Sequence, residues 1–253
     1  MLTEKRQNEI VNLVQQRGSI TLQELLDIFH ASESTIRRDI TALDKEGRLT
    51  KVFGGAIANA AMVSHQELSV SQKEMVNMDE KIRIANYAAS LIEPDDFVFL
   101  DAGTSTGNMI ASIRESRATY ITNAVSHAKH LAFMGFHVIL IGGDLKGSTE
   151  AVVGTEAVNN IQKYHFSRGF FGTNGIHPTT GFTTPDINEA LLKQAALRNT
   201  QPGGRYILSE HQKFGQISSV TFAMFEGAVI ITDQKPQESI WDNYDIRIAE
   251  SEF

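Results

Sequence analysis

The chain has 253 residues, of which 42% are hydrophobic and 21% charged, a composition that fits a globular protein long enough for a small domain beside a larger one. It contains no cysteine and carries a net charge of −7, which excludes a disulfide framework, thiolate chemistry and thiolate metal sites.

In chain order, the first element opens at Thr3 and carries Ile10, Leu13 and Val14 on one face before Arg17-Gly18. Its charged start lacks a signal-peptide core, and no apolar run approaches the ~20 residues of a bilayer span, so a cytoplasmic protein without membrane partners is expected. Thr21-Leu-Gln-Glu24 has the form of a capping box and opens a second helix with Leu22, Leu25, Leu26 and Phe29 inward. Ser32 can cap a third helix, and Gly47 follows its last turn as a stop. Ile36, Ile40 and Leu43 form the apolar stripe of that helix, which turns Ser34, Thr35, Arg37 and Arg38 away from the core. Arginine pairs bidentately with guanine in the major groove, and hydroxyls reach bases or phosphates. Helix, short turn and helix is the arrangement in which the second helix enters a DNA groove. Arg48 to Ala56 then reads as a two-stranded wing, with Lys51 and the pair Gly54-Gly55 suited to a close pass along phosphates.

The same spacing also suits a small three-helix bundle without a ligand. Charge does not decide between the two, because residues 1–57 hold eight basic and eight acidic residues. The excess negative charge lies beyond residue 57, so a neutral head can approach DNA while an acidic body stays off it. Residues 58–78 show no sustained period and read as a linker.

From Asp79, expected to cap a helix carrying Ile82, Ala85, Ala89 and Ile92, helical stretches alternate with solid apolar runs: Phe97–Leu100, Tyr120-Ile121, Val138–Ile141, Phe170-Phe171, Tyr206–Leu208 and Val229–Ile231. Continuous apolar runs suit strands covered on both faces, so residues 79–253 are expected to form an α/β domain with a mostly parallel sheet. Glycines, hydroxyls, amides and one lysine follow the runs: Asp101-Ala-Gly103-Thr104-Ser105-Thr106, Thr122-Asn123, Gly142-Gly143, Gly172-Thr-Asn174, Ser209 to Lys213, and Thr232-Asp233. Ligands of open α/β sheets bind outside the carboxyl ends of the strands, and this chemistry suits a hydroxylated, anionic small molecule.

Sharper motifs fall away. Gly142 to Thr149 lacks the P-loop lysine, since Ser148 stands in its place. Gly103-Thr-Ser105-Thr-Gly107 matches a hydrolase elbow formally, but only one strand of this domain precedes it. His127 and His130 have no third ligand nearby in sequence and read as two solvated histidines, so no metal site is expected.

The head resembles the DeoR family of bacterial transcriptional regulators through Arg6, Ile10, Ser32, the run Thr35-Ile-Arg-Arg-Asp-Ile40, Leu43, Gly47, Leu49 and Gly54-Gly55-Ala56. The resemblance implies a winged helix-turn-helix over about residues 3–58, with its motif near 20–39. The larger part resembles the family's sensor domain through Asp101-Ala-Gly-Thr104, Thr122-Asn123, Gly142-Gly143, Gly172-x-Asn174-Gly175, Gly181-x-Thr183-Thr184, Glu189 with Lys193, and Lys213-Phe-Gly215. Such domains are similar in fold to ribose-5-phosphate isomerase. The resemblance implies a non-enzymatic repressor of a sugar-utilisation operon, without a cofactor, that binds an operator as a homodimer or homotetramer. A phosphorylated sugar would bind Asp101, Gly103 to Thr106, Thr122, Asn123, Gly143, Asn174, Glu189, Lys193 and Lys213. Two departures stand out: Glu210-His211-Gln212 replaces the frequent Asp-Ser-Ser, and Asn174 stands in an isomerase Asp position. A carboxamide cannot act as general base, so an isomerase with a DNA-binding head is the weaker alternative.

Overall fold

The computed structural model describes residues 3–17, 19–45, 48–57, 63–64, 77–236 and 239–250. The chain divides into two compact units, Met1–Met62 and Val63–Phe253. Most of the expected linker, and Gly47, the expected helix stop, lie outside the described residues. Among the described residues no helix is long and apolar enough to cross a membrane.

In the first unit α1 (Thr3–Arg17), α2 (Leu22–Phe29) and α3 (Glu33–Lys45) enclose a core that includes Ile10, Val14, Leu25, Ile36, Ile40 and Leu43. The capping box forms as the sequence indicates: the Thr21 hydroxyl accepts the Glu24 N–H at 3.2 Å, and the Glu24 carboxylate accepts the Thr21 N–H at 2.8 Å. Ser32 caps α3 by accepting the Thr35 N–H on its hydroxyl at 3.3 Å. The wing strands β2 (Thr50–Val52) and β3 (Gly55–Ile57) pair antiparallel, and β1 (Ser19–Thr21) adds a third strand beside β3. That third strand goes unread in sequence because its one buried apolar residue, Ile20, is too little alternation to mark a strand.

In the second unit β4 (Val63–Ser64) comes first, followed by α4 (Met78–Ser90). Asp79 does not cap α4; it lies in the first turn, and the capping position is Asn77 at φ 54°. The buried face of α4 runs through Lys81, Ile84, Ala85, Ala88 and Ala89, which leaves Ile82 exposed rather than in the core. Next come β5 (Phe97–Leu100), α5 (Thr104–Met109), β6 (Thr119–Thr122), α6 (Val125–Phe133) and β7 (His137–Leu140). A hairpin, β8 (Asp144–Lys146) and β9 (Ala151–Val153), precedes α7 (Thr155–Ile161) and β10 (Arg168–Gly172). The chain continues through β11 (Gly175–His177), β12 (Gly181–Thr184), α8 (Ile187–Arg198) and β13 (Arg205–Leu208). It ends with β14 (Ile217–Ser218), β15 (Val220–Ala223), β16 (Ala228–Thr232) and β17 (Ile246–Ile248).

All six apolar runs become strands of one seven-stranded sheet, ordered β17-β16-β13-β10-β5-β6-β7, with every pair parallel. Alternate residues of a single strand feed opposite cores. Phe99, Ile121, Phe171 and Ile207 pack on the face with α7 and α8, while Val98, Leu100, Tyr120 and Phe170 pack on the face with α4. Both faces are covered, which is why the runs are solid rather than alternating. The seventh strand, β17, is a short edge strand interrupted by Arg247. Smaller sheets, β11-β12-β15 and β14-β4, stand apart from the main sheet.

Candidate functional site

On the head, the structure separates residues that build α3 from residues that α3 presents. Asp39 is buried although it follows two exposed arginines; it accepts Arg6 Nε at 2.6 Å and Gln7 Nε2 at 3.2 Å. That pair ties α1 to α3 and sets the helix's pitch on the core. Arg37 and Arg38 project outward, and Arg37 is braced against Glu33 one turn earlier at 2.6 Å. Ser32, Ser34 and Thr35 form a hydroxyl cluster at the start of α3, with separations of 3.0 and 2.8 Å. Lys51 reaches across from the wing to the Thr41 hydroxyl at 2.9 Å, and its N–H donates to Asp44 at 2.9 Å. Gly54 makes the wing turn at φ 85°. At Gly55 a Cβ would lie 2.2 Å from the Ile20 carbonyl oxygen. Its bareness lets β1 join the wing. Phe53, fully exposed at the wing tip and unremarked in sequence, borders the same concavity as Arg37 and Lys51.

In the larger unit a crevice opens at the carboxyl ends of β5, β10 and β13. These strands lie at the middle of the sheet, where the chain runs outward from β5 to β6 and β7 and then returns to β10 on the other side. Such a switch point leaves a gap between diverging loops. Of the expected effector contacts, Gly103, Thr104, Ser105, Asn174, Glu189, Lys193 and Lys213 line the gap. Asn77, Lys81, Thr149 and Glu210 also line it; of these the sequence marked only Glu210, as a departure from the family pattern and not as a contact. The ends of β6, β7 and β16 contribute no lining residue.

Five expected contact residues lie beneath or beside the crevice and shape it. The Thr106 hydroxyl donates to the Asp101 carbonyl at 2.6 Å, folding the loop back on its strand. Thr122 accepts the Ala124 N–H at 3.1 Å. Asn123 accepts the Ala102 N–H at 2.9 Å and donates to the Val152 carbonyl at 3.2 Å. Gly143 approaches the β8–β9 hairpin so closely that a Cβ would lie 2.7 Å from the Val153 carbonyl oxygen. Asp101 is buried in contact with Lys193 and accepts the Gly172 N–H at 3.1 Å. Burial pushes the Asp101 carboxyl above its ordinary value, against the pull of Lys193.

The carboxylates around the crevice are held in fixed partnerships. Glu189 accepts Lys146 at 3.2 Å and Thr149 at 2.9 Å. Asp186, the cap of α8, takes the N–H groups of Asn188 and Glu189 and an ion pair from Lys146 at 3.1 Å. Partial burial raises the Asp186 carboxyl, but those N–H groups and Lys146 outweigh it and hold the carboxyl below its ordinary value. Lys81 and Glu210 face each other at 3.5 Å, both buried. His127 is also buried, contrary to the expectation of two solvated histidines; its ring packs under Gly107 and bonds the Gly103 backbone. Gly107 is required there, since a Cβ would lie 2.8 Å from the ring nitrogen. Among the described residues no cluster of side chains could hold a metal ion.

A winged helix-turn-helix head and a parallel α/β unit with a polar crevice at its switch point are the two parts that the comparisons recognise. Residues 6–61 match the DeoR-like helix-turn-helix domain, and residues 76–234 match the DeoR C terminal sensor domain. The chain belongs to the DeoR family of transcriptional regulators. It is 38% identical to the uncharacterized HTH-type transcriptional regulator FruR of Bacillus subtilis, over 96% of each chain. It is 33% identical to the lactose phosphotransferase system repressor of Staphylococcus aureus, over 93% of this chain and 94% of that one. Likeness to the solved ribose 5-phosphate isomerase A of Methanocaldococcus jannaschii is slight, with a TM-score of 0.39 and 12% identity over 55% of each chain.

Proposed function

We propose that this protein represses genes of sugar utilisation and that a phosphorylated sugar, bound in the switch-point crevice, controls its hold on the operator. The observation that carries this is the crevice's distribution of charge. Lys193 is matched by Asp101, Lys81 by Glu210, and Glu189 by Lys146. Lys213 lines the crevice without a carboxylate partner among the described residues. Lys213 and the hydroxyls of Thr104 and Ser105 suit a phosphoryl group, while Asn174 offers an amide to sugar hydroxyls. The relatives' names point the same way: one is a repressor of a sugar phosphotransferase system.

Binding without turnover is favoured because each crevice carboxylate among the described residues is engaged, Glu210 by Lys81. Asp101 is engaged by Lys193, Glu189 by Lys146 and Thr149, and residue 174 is an amide. On DNA, two heads of a dimer would meet half-sites roughly 34 Å apart or a multiple of it. An effector coupling of about 1–3 kcal/mol would change operator affinity by roughly 5–150-fold.

A thermal-shift screen against ribose, fructose and hexosamine phosphates, followed by operator titration with each hit, tests this. A hit that raises stability and changes operator affinity is expected. Lys213→Ala should lose the response while binding the operator normally. A Lys213→Ala protein that responds with unchanged affinity would show that this lysine is only a surface residue.

A further inference from the structure

Phe53 stands at the tip of the wing with its ring fully exposed, and neither the effector crevice nor the recognition helix gives it a task. Leaving a phenyl ring in water forgoes the burial that stabilises a core. Among the described residues of the head, the other exposed large apolar side chains are Ile28, Val52 and Ile57, none more than 41% exposed. No broad apolar patch of the kind a protein partner covers therefore surrounds the ring. The backbone beneath it is fixed. Val52 pairs with Gly55, so Phe53 and Gly54 alone make the turn, and Gly54 supplies its positive φ of 85°. The Gly54 carbonyl accepts the Leu22 N–H at 2.7 Å, which fastens the turn to the start of α2. Gly55, the next residue, lies directly against β1. A free ring is thus mounted on an anchored hairpin. Its neighbours are polar: Phe53 borders the concavity that holds Lys51 of β2 and Arg37 of α3, and Asp44, the carboxylate there, accepts the Lys51 N–H at 2.9 Å.

We infer that Phe53 is a wedge that enters the minor groove of the operator and partly unstacks one base step, so that the protein selects its site by deformability as well as by base contacts. This rests on the reading of the head as the operator-binding unit. A duplex presents an anionic rim of phosphates with apolar base faces inside, the complement of a ring set beside two cations. With α3 in the major groove, a hairpin of three-residue strands about 10 Å long carries its tip past the phosphates towards the adjacent minor groove, which is about 6 Å wide. An apolar side chain inserted there opens the step and bends the duplex by roughly 20–90° toward the major groove, and so onto α3. Opening is cheapest at pyrimidine–purine steps and dearest in stiff A-tracts. A ring already held in place loses little freedom on insertion. The wedge therefore generates a sequence preference at a step that no side chain of α3 reads.

The test uses the full-length protein and duplexes that the wild-type protein selects from a random pool. Selected duplexes should carry a pyrimidine–purine step at a fixed distance from the positions whose preference Arg37→Ala or Arg38→Ala relaxes. Energy transfer between dyes at the duplex ends should report a bend. Phe53→Ala should bind on the order of tenfold more weakly and lose most of the bend. Exchanging the flexible step for an A-tract step should weaken the wild type but leave Phe53→Ala unchanged. Phe53→Leu, which keeps an apolar wedge, should recover part of the bend. Because the ring packs on nothing, Phe53→Ala should melt with the wild type, and a lowered melting temperature would assign the ring to the fold instead. A Phe53→Ala protein that bends the duplex as before and keeps the step preference overturns the wedge. So does a weakening that is equal at every step with the bend intact, or a changed oligomeric state with the bend intact, since the ring would then lie on sugars or on a second chain. If the wild-type protein selects no duplex, the operator reading fails and the wedge with it; if it selects one and only the Phe53 variants are silent, the wedge alone fails.

Discussion

His127 lends itself to a quantitative test of how the sensor's floor is held. Burial lowers its imidazole to about 4 from an ordinary 6.5, while the Gly103 backbone pulls the other way. Its Nδ1 is buried without a hydrogen-bond partner among the described residues, as a neutral ring donating from the other nitrogen would leave it. The folded-state pKa is depressed, so the contribution to stability is fully present above pH 6.5. Below that, the unfolded chain takes up a proton that the folded chain refuses, and stability falls until the pH reaches the folded value. Over the whole window the loss is about 3 kcal/mol, of which about 2 kcal/mol has occurred by pH 5. The chain's single tryptophan, Trp241, is buried in the sensor core, so its fluorescence follows urea unfolding of that unit. His127→Gln keeps a neutral donor for the Gly103 carbonyl and removes the titration. Between pH 7.5 and 5 the variant should lose about 2 kcal/mol less than the wild type. Parallel pH profiles for the two proteins would refute the account, because they would mean that His127 titrates alike in both states.

In the head, Arg38→Ala should cost operator affinity about 1–3 kcal/mol if the side chain reads a base, with relaxed specificity at one position. Arg37→Ala should weaken binding as well, and operator titrations over a salt series separate a base contact from a phosphate contact by the slope. Asp39→Ala removes the partner of a nearly buried Arg6 and should destabilise the head by about 2 kcal/mol, less than for a fully buried pair because the guanidinium keeps an edge in water. Amide hydrogen exchange should show lost protection in α1 and α3 with the central sheet unchanged. Gly55→Ala forces a methyl against the Ile20 carbonyl and should cost about 1–3 kcal/mol of head stability, read by the same exchange experiment.

The main sheet was legible because its physics is local. Each run from Phe97–Leu100 to Val229–Ile231 is apolar on both sides of the pleat, and the gaps between runs are long enough for a helix. The small sheet β11-β12-β15 was not legible, since Gly175–His177 and Gly181–Thr184 read as turn chemistry and pair only through the fold around them. The crevice was legible in kind but not in extent. All six strand ends carry glycines, hydroxyls or amides, yet only those at the switch point open onto a gap. Strand order decides which they are, and strand order is a long-range property that no local spacing encodes.

Lys81 and Asp39 show a signal that was present and unused. Asp39 stands three residues after Ile36 and four before Leu43, within the arc of the apolar stripe that buries α3. Lys81 stands three and four residues before Ile84 and Ala85, again within the buried arc, whereas Ile82 is turned outward. A helical period traced through apolar residues alone does not register a charge that shares their arc. A charge held in an apolar register must find a partner or neutralise, because desolvation penalises it otherwise. Asp39 finds Arg6 and Gln7 on another helix, and Lys81 finds Glu210 beyond another strand. The first partnership orients the helix proposed to face DNA, and the second lines the crevice proposed to hold the effector. In both units, then, the ionised residue out of place by hydropathy marks where one element is registered against another.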